Sequence, residues 1–301
     1  MLKTFFYGNH FYGLCAVLLS IETNVQLQLH HISAFWYLFA YSATTAYYTQ
    51  AYLFETDLSV RNPRMQWYTE NKKQLKFQQF LFVLVAFYAA TALLWHYHTQ
   101  LSQLTLPFWL LFLGICLLSL GYYLPSPTTK WVLLHPRSSG WLKPFIIGFV
   151  WVGMCQIAPI ALHCVANQTP RSLTAFDWQF LLTSWLFISV LCILFDIKDY
   201  ASDANKAIKT VVVRVGLRKT LFSIVLPLTL LSWGLFILYA ILWQLSLMRI
   251  VCNSLPFVLL LVIAYSLHKR KSILYYLAII DGLLLVKALC GIAGIILTTI
   301  K

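Results

Sequence analysis

Long apolar segments alternate with short polar segments along the whole chain of 301 residues. Each apolar segment has about the 20 residues that a helix needs to cross ~30 Å of hydrocarbon. The pattern predicts nine transmembrane helices, at residues 5–22, 31–54, 77–97, 105–124, 142–163, 178–196, 219–241, 250–267 and 273–299. We therefore expect an all-α polytopic membrane protein in which residues 1–301 form a single transmembrane domain.

The composition supports this fold class. Hydrophobic residues make up 60% of the chain and charged residues 10%, whereas soluble domains carry about 25% charged residues. The seven cysteines form no CxxC pattern, so we interpret them as small core residues. The net charge of +13 does not indicate a nucleic-acid partner, because the basic residues are confined to alternate loops.

The distribution of basic residues predicts the orientation of the chain in the membrane. Of the 22 Lys and Arg residues, 18 lie in the amino terminus and in the loops 55–76, 125–143, 197–219 and 268–272. Loops rich in Lys and Arg remain on the cytoplasmic side of a membrane. We therefore predict a cytoplasmic amino terminus and an external carboxyl terminus, in a multi-pass protein of the plasma (inner) membrane.

The most informative polar stretch is 196–210, which reads DIKDYASDANKAIKT and holds three of the nine acidic residues. Spacings of three and four place Asp196, Asp199 and Asp203 within about 60° of one another on a helix. Like charges on one face repel, and Mg²⁺ bridging to a phosphate oxygen is a suitable partner for them. The alternative is a solvated, mixed-charge loop. The nearby cations that an anionic substrate would require are Lys198, Lys206, Lys209 and Arg214.

A second charged loop follows the second predicted helix, on the same predicted face, and contains Asp57 and Arg64. The two loops could close over one cavity mouth. Pro63 prevents a regular helix from running straight through this loop. The residues after it could form an interfacial helix, and a lid role and a simple surface anchor are both open.

Asp281 and Lys287 lie inside the last predicted span, where ionisable groups are costly and often functional. Six positions separate them, which is about 240° around a helix, so they do not pair directly. We expect each to face the bundle interior and a polar partner on another helix. Lining of a site and structural pairing are both open.

The stretch DIKDYASDANKAIKTVVVRVG, the nine helices and the acidic loops after helices two and six resemble the UbiA superfamily of intramembrane prenyltransferases. The second motif of that family is typically DxxDxxxD, followed by a G-I-K-T-like segment and a V-R-L-G-like turn. The chain matches it at Asp196, Asp199, Asp203, Ile208, Lys209, Thr210, Val213, Arg214 and Gly216, and has Ala207 where the family usually has Gly. The resemblance implies a UbiA-like helical bundle with cytoplasmic cap loops.

The first motif of the family, NxxxDxxxD, is degenerate in this chain. Alignment through the sequence Asn-Pro-Arg at 62–64 places Thr49, Leu53 and Asp57 at the three motif positions. The last carboxylate alone is retained. The RP-type signature that is often seen in the first helix of the family is also missing.

The resemblance implies Mg²⁺-dependent transfer of an isoprenoid chain from a prenyl diphosphate to an aromatic (quinone-precursor-like) or other lipid acceptor. It implies Asp199 and Asp203 as catalytic residues. The metal ligands that it implies are Asp196, Asp199, Asp203 and Asp57. The diphosphate ligands that it implies are Lys209, Arg64 and Lys206.

Two other functions fit the same residues. The main alternative is a catalytically degenerate membrane protein that binds or carries prenyl lipids without transfer. The third is an ion-coupled transporter that uses Asp281 and Lys287. The sequence shows no clear internal repeat and no paired Gly/Pro-broken helices of the kind that transporters have.

Overall fold

The computed structural model describes residues 2–29, 32–54, 63–121, 140–168, 172–205, 210–269 and 271–299, without the side chains of residues 54, 201–205 and 299. All regular structure in these ranges is helical. The helices are α1 (Leu2–Tyr7), α2 (His10–Gln26), α3 (Ala34–Phe54), α4 (Pro63–Glu70), α5 (Lys72–Tyr97), α6 (Leu106–Gly121), α7 (Lys143–Val152), α8 (Ala158–Ala166), α9 (Ala175–Asn205), α10 (Val211–Val215), α11 (Leu217–Lys219), α12 (Leu226–Leu242), α13 (Leu247–Ser266), α14 (Ile273–Tyr275) and α15 (Gly282–Thr299).

Three short π-helical segments join helices into longer rods. They link α7 to α8, α11 to α12 and α14 to α15, and they span Gly153–Ile157, Thr220–Val225 and Tyr276–Ile280. A π-helical turn holds an extra residue, so it changes the direction in which the following side chains point, and such turns are frequent at functional sites. The third segment ends immediately before Asp281, whose backbone N–H donates to the Tyr276 carbonyl at 3.0 Å.

Within the described ranges, a helix or continuous rod lies at each of the nine positions that the apolar pattern predicts. Six of them are long and apolar enough to cross a membrane: Lys72–Tyr97, Lys143–Ala166, Ala175–Tyr200, Leu217–Leu242, Leu247–Ser266 and Ile273–Thr298. The protein is therefore a multi-pass membrane protein. The count of nine spans stays a prediction, because α2 has 17 residues, α6 has 16, and α3 carries many Tyr and Thr side chains.

Helices α2 and α9 lie at the centre of the bundle. Helix α2 packs against α3, α15 and the π-helical segment after α7, while α9 packs against α7 and α12. Core residues such as Leu19 on α2 and Phe187 on α9 are fully buried. Helix α5 is peripheral, and its Phe77, Phe87 and Trp95 are exposed. Exposed apolar side chains all along a helix are typical of a span that faces lipid.

Candidate functional site

The first polar group of the site is centred on Arg64, at the start of α4. Pro63 occupies the first helical position, where its missing N–H and fixed φ are favourable, and Arg64 follows it as a buried side chain. The guanidinium donates from Nη1 to the Tyr52 hydroxyl at 2.8 Å, and from Nη2 to the Tyr7 carbonyl at 3.0 Å and Asn9 Oδ1 at 2.5 Å. It also lies 4.0 Å from the centre of the Tyr52 ring. These contacts hold a buried cation in one position.

Asn9 connects this cation to the degenerate first motif. Its Nδ2 donates to Thr49 Oγ1 at 3.1 Å and to the Tyr68 hydroxyl at 3.0 Å, so an amide from outside α3 contacts the motif position that Thr49 occupies. Asn9 has a φ of 63°, in the left-handed region that Asn tolerates better than most residues. Asn9 was not among the predicted site residues, and the turn-forming pair Gly8-Asn9 was the available signal for it.

The Tyr68 hydroxyl completes what we call the Arg64 cluster: Tyr7, Asn9, Thr49, Tyr52, Arg64 and Tyr68. This hydroxyl donates to the Tyr7 carbonyl at 3.0 Å. Burial raises the pKa of Tyr68 to about 12, so the phenol remains a neutral donor at physiological pH. Trp67, the neighbour of Tyr68, packs edge-to-face on the Tyr7 ring, with the two ring centres 5.8 Å apart. The predicted helix after Pro63 is confirmed, and it docks onto the bundle through Arg64 and Tyr68.

The second polar group is the acidic end of α9, which we define as Asp196, Asp199 and Asp203. The helix continues through all three positions. Asp196 is buried, and its Oδ1 accepts from Lys143 Nζ at 2.9 Å. Asp196 Oδ2 is buried without a hydrogen-bond partner among the described atoms. Asp199 is more exposed and pairs with Lys198 at 2.9 Å.

Of the predicted site residues, the structure describes the side chains of Arg64, Asp196 and Asp199. The other predicted residues lie outside the described side chains, namely Asp57, Asp203, Lys206 and Lys209. Within the described part of the chain, His, Cys, Asp and Glu residues form no group of three that could hold a metal ion. The unpartnered Asp196 Oδ2 and the nearby Asp199 carboxylate are hard oxygen donors of the kind that Mg²⁺ takes, so the residues present fit a magnesium ion.

A third polar group lies deeper in the bundle, around Asp281. The Tyr12 hydroxyl donates to Asp281 Oδ2 at 2.5 Å. The Tyr12 ring is stacked on Tyr48 with ring centres 4.6 Å apart, and Trp151 Nε1 donates to the Tyr48 hydroxyl at 2.8 Å. Four helical rods therefore contribute to one small cluster of a carboxylate and three aromatic rings.

The three groups are close enough to interact. Asp281 interacts electrostatically with Arg64 from the first group and with Lys198, which pairs with Asp199 of the second group. The Cys192 thiol on α9 interacts with both Asp196 and Asp281. Asp281 is therefore within electrostatic range of a cation from each of the two charged segments.

Lys287 forms a separate buried ion pair with Glu22 on α2. Its Nζ donates to the two carboxylate oxygens of Glu22 at 2.8 and 2.9 Å. Gly291 makes room for this pair, because a Cβ at that position would lie 2.5 Å from Glu22 Oε1. The expectation that Asp281 and Lys287 pair with other helices rather than with each other is confirmed, and both partners lie on α2.

We expect Lys287→Met to lower the thermal midpoint of the protein strongly. It leaves Glu22 charged and buried without its cation, and breaking one side of such a pair costs about 3–5 kcal/mol. The double variant Glu22→Gln/Lys287→Met removes both charges and should recover most of the loss. Thermal unfolding in detergent measures both variants. Equal destabilisation by the single and double variants would contradict a stabilising pair.

A cavity of about 550 Å³ lies elsewhere, between α13 and α15. Its lining is apolar, and it contains none of the site residues. The side chains that line it include Val251, Leu255, Val258, Leu289 and Cys290.

Comparisons with known proteins identify the fold. No protein-family model matches the sequence, and no curated protein matches it. The apo structure of a UbiA homolog from Aeropyrum pernix K1 is 14% identical, with a TM-score of 0.63 over 96% of this chain and 98% of that one. A UbiA homolog from Archaeoglobus fulgidus, bound to GPP and Mg²⁺, is 15% identical, with a TM-score of 0.54 over 97% of this chain and 99% of that one. Over nearly its whole length, the protein has the fold of the UbiA superfamily.

Proposed function

We propose that the protein is a Mg²⁺-dependent intramembrane prenyltransferase. It moves an isoprenoid chain from a prenyl diphosphate to an aromatic, quinone-precursor-like acceptor or to another lipid acceptor. The observation that carries the proposal is the buried Asp196 Oδ2, which has no hydrogen-bond partner among the described atoms and lies one helical turn before Asp199. The A. fulgidus neighbour, which is bound to GPP and Mg²⁺, supports the same ligand classes here.

Different residues of the polar groups bind the metal and the diphosphate. Asp196 and Asp199, with Asp203 and Asp57, would hold Mg²⁺. When bound, the metal neutralises charge on the departing pyrophosphate. Arg64 attracts the phosphate oxygens as a fixed, buried positive charge. Lys206 and Lys209 bind further oxygens.

The Arg64 cluster lowers the cost of this binding. The guanidinium already lies against Tyr52 and Asn9, so it does not have to reorganise when negative charge develops on the leaving group. Fixed donors in a site that excludes water stabilise such charge better than water does. Asn9 also supports α3 at the position of Thr49.

The aromatic rings beneath the polar groups are suited to the other half of the substrate. Departure of pyrophosphate leaves positive charge on the allylic carbon, and ring faces attract cations. Tyr12, Tyr48 and Trp151 provide such faces, and their hydroxyl and indole groups are engaged by Asp281 and by one another. The packed helices around them exclude water, which would otherwise capture the cation.

The charge distribution of the chain supports a cytoplasmic location for this end of the bundle. Arg64, Lys143 and Lys198 all belong to the loops and loop margins that carry 18 of the 22 basic residues. Basic residues near span ends remain on the cytoplasmic side. In this orientation the site receives prenyl diphosphate from the cytoplasm.

Pyrophosphate release by the purified protein in nanodiscs tests the proposal. The assay contains Mg²⁺, prenyl diphosphates of several lengths and a panel of aromatic and lipid acceptors. We expect acceptor-dependent release, and we expect Asp199→Ala to lower it by about 100-fold or more because a charge-stabilising ligand is lost. Asp177→Ala, on the same helix, is the matched control and should retain release.

Two results would contradict the proposal. Mg²⁺-dependent binding of prenyl diphosphate with no release for any acceptor would favour the carrier that binds prenyl lipids without transfer. Absence of any prenyl diphosphate binding would limit the likeness to the fold. An ion-coupled transporter predicts a different pattern, in which Asp281→Asn alters transport while Asp199→Ala does not.

A further inference from the structure

The proposed binding of diphosphate and metal gives no role to Asp281. It lies at the junction of a π-helical segment and α15, and it is buried in the bundle interior. Its Oδ2 accepts from the Tyr12 hydroxyl, whereas its Oδ1 makes no hydrogen bond within the described part of the chain. A buried carboxylate is costly without partners. Tyr12 positions Oδ2, and Oδ1 is available to a ligand.

Asp281 has cations of both charged segments within electrostatic range and the aromatic rings of Tyr12 and Tyr48 beside it. Arg64 and Lys198 interact with it from the two charged segments, and Tyr12 stacks on Tyr48 beside it. In the proposed function, the acceptor attacks the allylic carbon beside these rings. The titratable and charged groups that face Asp281 from the surrounding helices are Tyr12, Cys15, Tyr48, Arg64, Cys192 and Lys198.

The other described carboxylates of the bundle interior and of this end have other partners. Asp196 is paired with Lys143, Asp199 with Lys198, and Glu22 with Lys287. A carboxylate in direct contact with a cation is a weaker base, because the cation favours its charged form. The direct hydrogen-bond partner of Asp281 is a neutral phenol. Asp281 is therefore the carboxylate of this region that is best suited to accept a proton.

We propose that Asp281 is the base that removes the proton of the acceptor during prenyl transfer, and that Tyr12 is its positioning residue. This inference rests on the proposed function. The allylic carbon–oxygen bond breaks, and its electron pair leaves with pyrophosphate. The acceptor carbon or heteroatom donates an electron pair to form the new bond to the allylic carbon. The acceptor then loses a proton to Asp281 Oδ1, and the electron pair of the broken bond to hydrogen remains on the acceptor.

The test compares Asp281→Asn with the unaltered protein, using an aromatic acceptor that is active in the release assay and a sample of it deuterated at the reacting carbon. Asn keeps the shape and can still accept from Tyr12, but it does not accept a proton. We expect binding of prenyl diphosphate to stay within about twofold and transfer to fall by about 10²–10⁴-fold, the usual contribution of a general base. We also expect a larger deuterium isotope effect in the variant, because proton removal becomes rate-limiting.

Two further variants separate chemistry from folding. Asp281→Glu keeps the carboxylate and should recover part of the transfer, with an isotope effect closer to that of the unaltered protein. Tyr12→Phe keeps the ring and should lower transfer less than Asp281→Asn does. The thermal midpoint of each variant is measured alongside, so a collapsed fold is recognised directly.

Three outcomes would overturn the inference. Transfer by Asp281→Asn within threefold of the unaltered protein would show that another group takes the proton. Slow transfer with an unchanged isotope effect and weakened diphosphate binding would assign Asp281 a role in binding or packing. If the unaltered protein releases no pyrophosphate with any acceptor, the proposed function and this inference are both overturned. That failure is distinguishable from failure of the inference alone, because it appears without any substitution.

Discussion

Replacement of Arg64 by alanine is expected to lower acceptor-dependent pyrophosphate release by about 10²–10³-fold, which is the usual loss when a fixed donor to developing negative charge is removed. The guanidinium is buried and held by Tyr52, Tyr7 and Asn9. A flexible surface Lys or Arg therefore does not replace its charge in the variant. Arg64→Lys keeps the charge but loses the planar fork and should remain well below the unaltered protein. The measurements are kcat/KM for prenyl diphosphate and its Kd.

Tyr52→Phe is the matched control for the Arg64 variants. It keeps the aromatic ring that lies 4.0 Å from the guanidinium and removes one hydrogen-bond acceptor. A hydrogen bond from a charged donor contributes about 1.5–3 kcal/mol, but the ring and the other two hydrogen bonds still hold the cation, so a loss clearly smaller than that of Arg64→Ala is expected. If Tyr52→Phe were as damaging as Arg64→Ala, the packing of the cluster rather than the cation would be the important feature. Normal diphosphate binding by folded Arg64→Ala would contradict the assigned role.

Asp196→Asn is expected to abolish most of the Mg²⁺-dependent binding of prenyl diphosphate. The substitution removes the charge from the carboxylate whose Oδ2 is buried without a partner. Even outer-shell partners of a metal contribute about 10- to 100-fold to affinity, so loss of a direct ligand should exceed about 100-fold. The measurement is titration of Mg²⁺, or of Mn²⁺ as a paramagnetic substitute, with and without prenyl diphosphate.

Stability is expected to change little in Asp196→Asn. The Lys143 side chain is 25% exposed in its pair with Asp196, so water can still hydrate its charge. Asp177→Asn is the matched control, because Asp177 lies 19 residues earlier on the same helix, which is roughly 28 Å away. It accepts from the Thr174 backbone N–H and hydroxyl at 2.8 Å. Loss of metal-linked binding in Asp177→Asn, or its retention in Asp196→Asn, would contradict a local effect at the acidic end of α9.

The helices themselves were predictable from the sequence. The apolar pattern places the first residue of α9 within three residues of its observed position and both ends of the rod Ile273–Thr299 at their observed positions. It does so because a span is defined by a local run of apolar residues. The pattern underestimated the length of α9, which continues to Asn205. A charged helix end is not part of the apolar run, so the pattern alone does not show it.

Part of the candidate site was also predictable. The spacing of Asp196 and Asp199 indicated a helical face with a cation partner, and the structure confirms the helix. The predicted metal and diphosphate roles stay predictions for all of the site residues, namely Asp57, Arg64, Asp196, Asp199, Asp203, Lys206 and Lys209. Lys143 was counted as a basic loop residue, and no local signal connected it to Asp196, which is 53 positions away.

By itself, the sequence determined that this is an all-α membrane protein with two charged segments and ionisable residues in its last span, because hydropathy, charge and helical spacing are local properties of the chain. The tertiary structure alone decided the partners. Tyr12 meets Asp281 across 269 positions, and Glu22 meets Lys287 across 265. Such contacts depend on which helices are neighbours and on how each is rotated, and a π-helical turn before Asp281 changes that rotation in a way that spacing does not reveal.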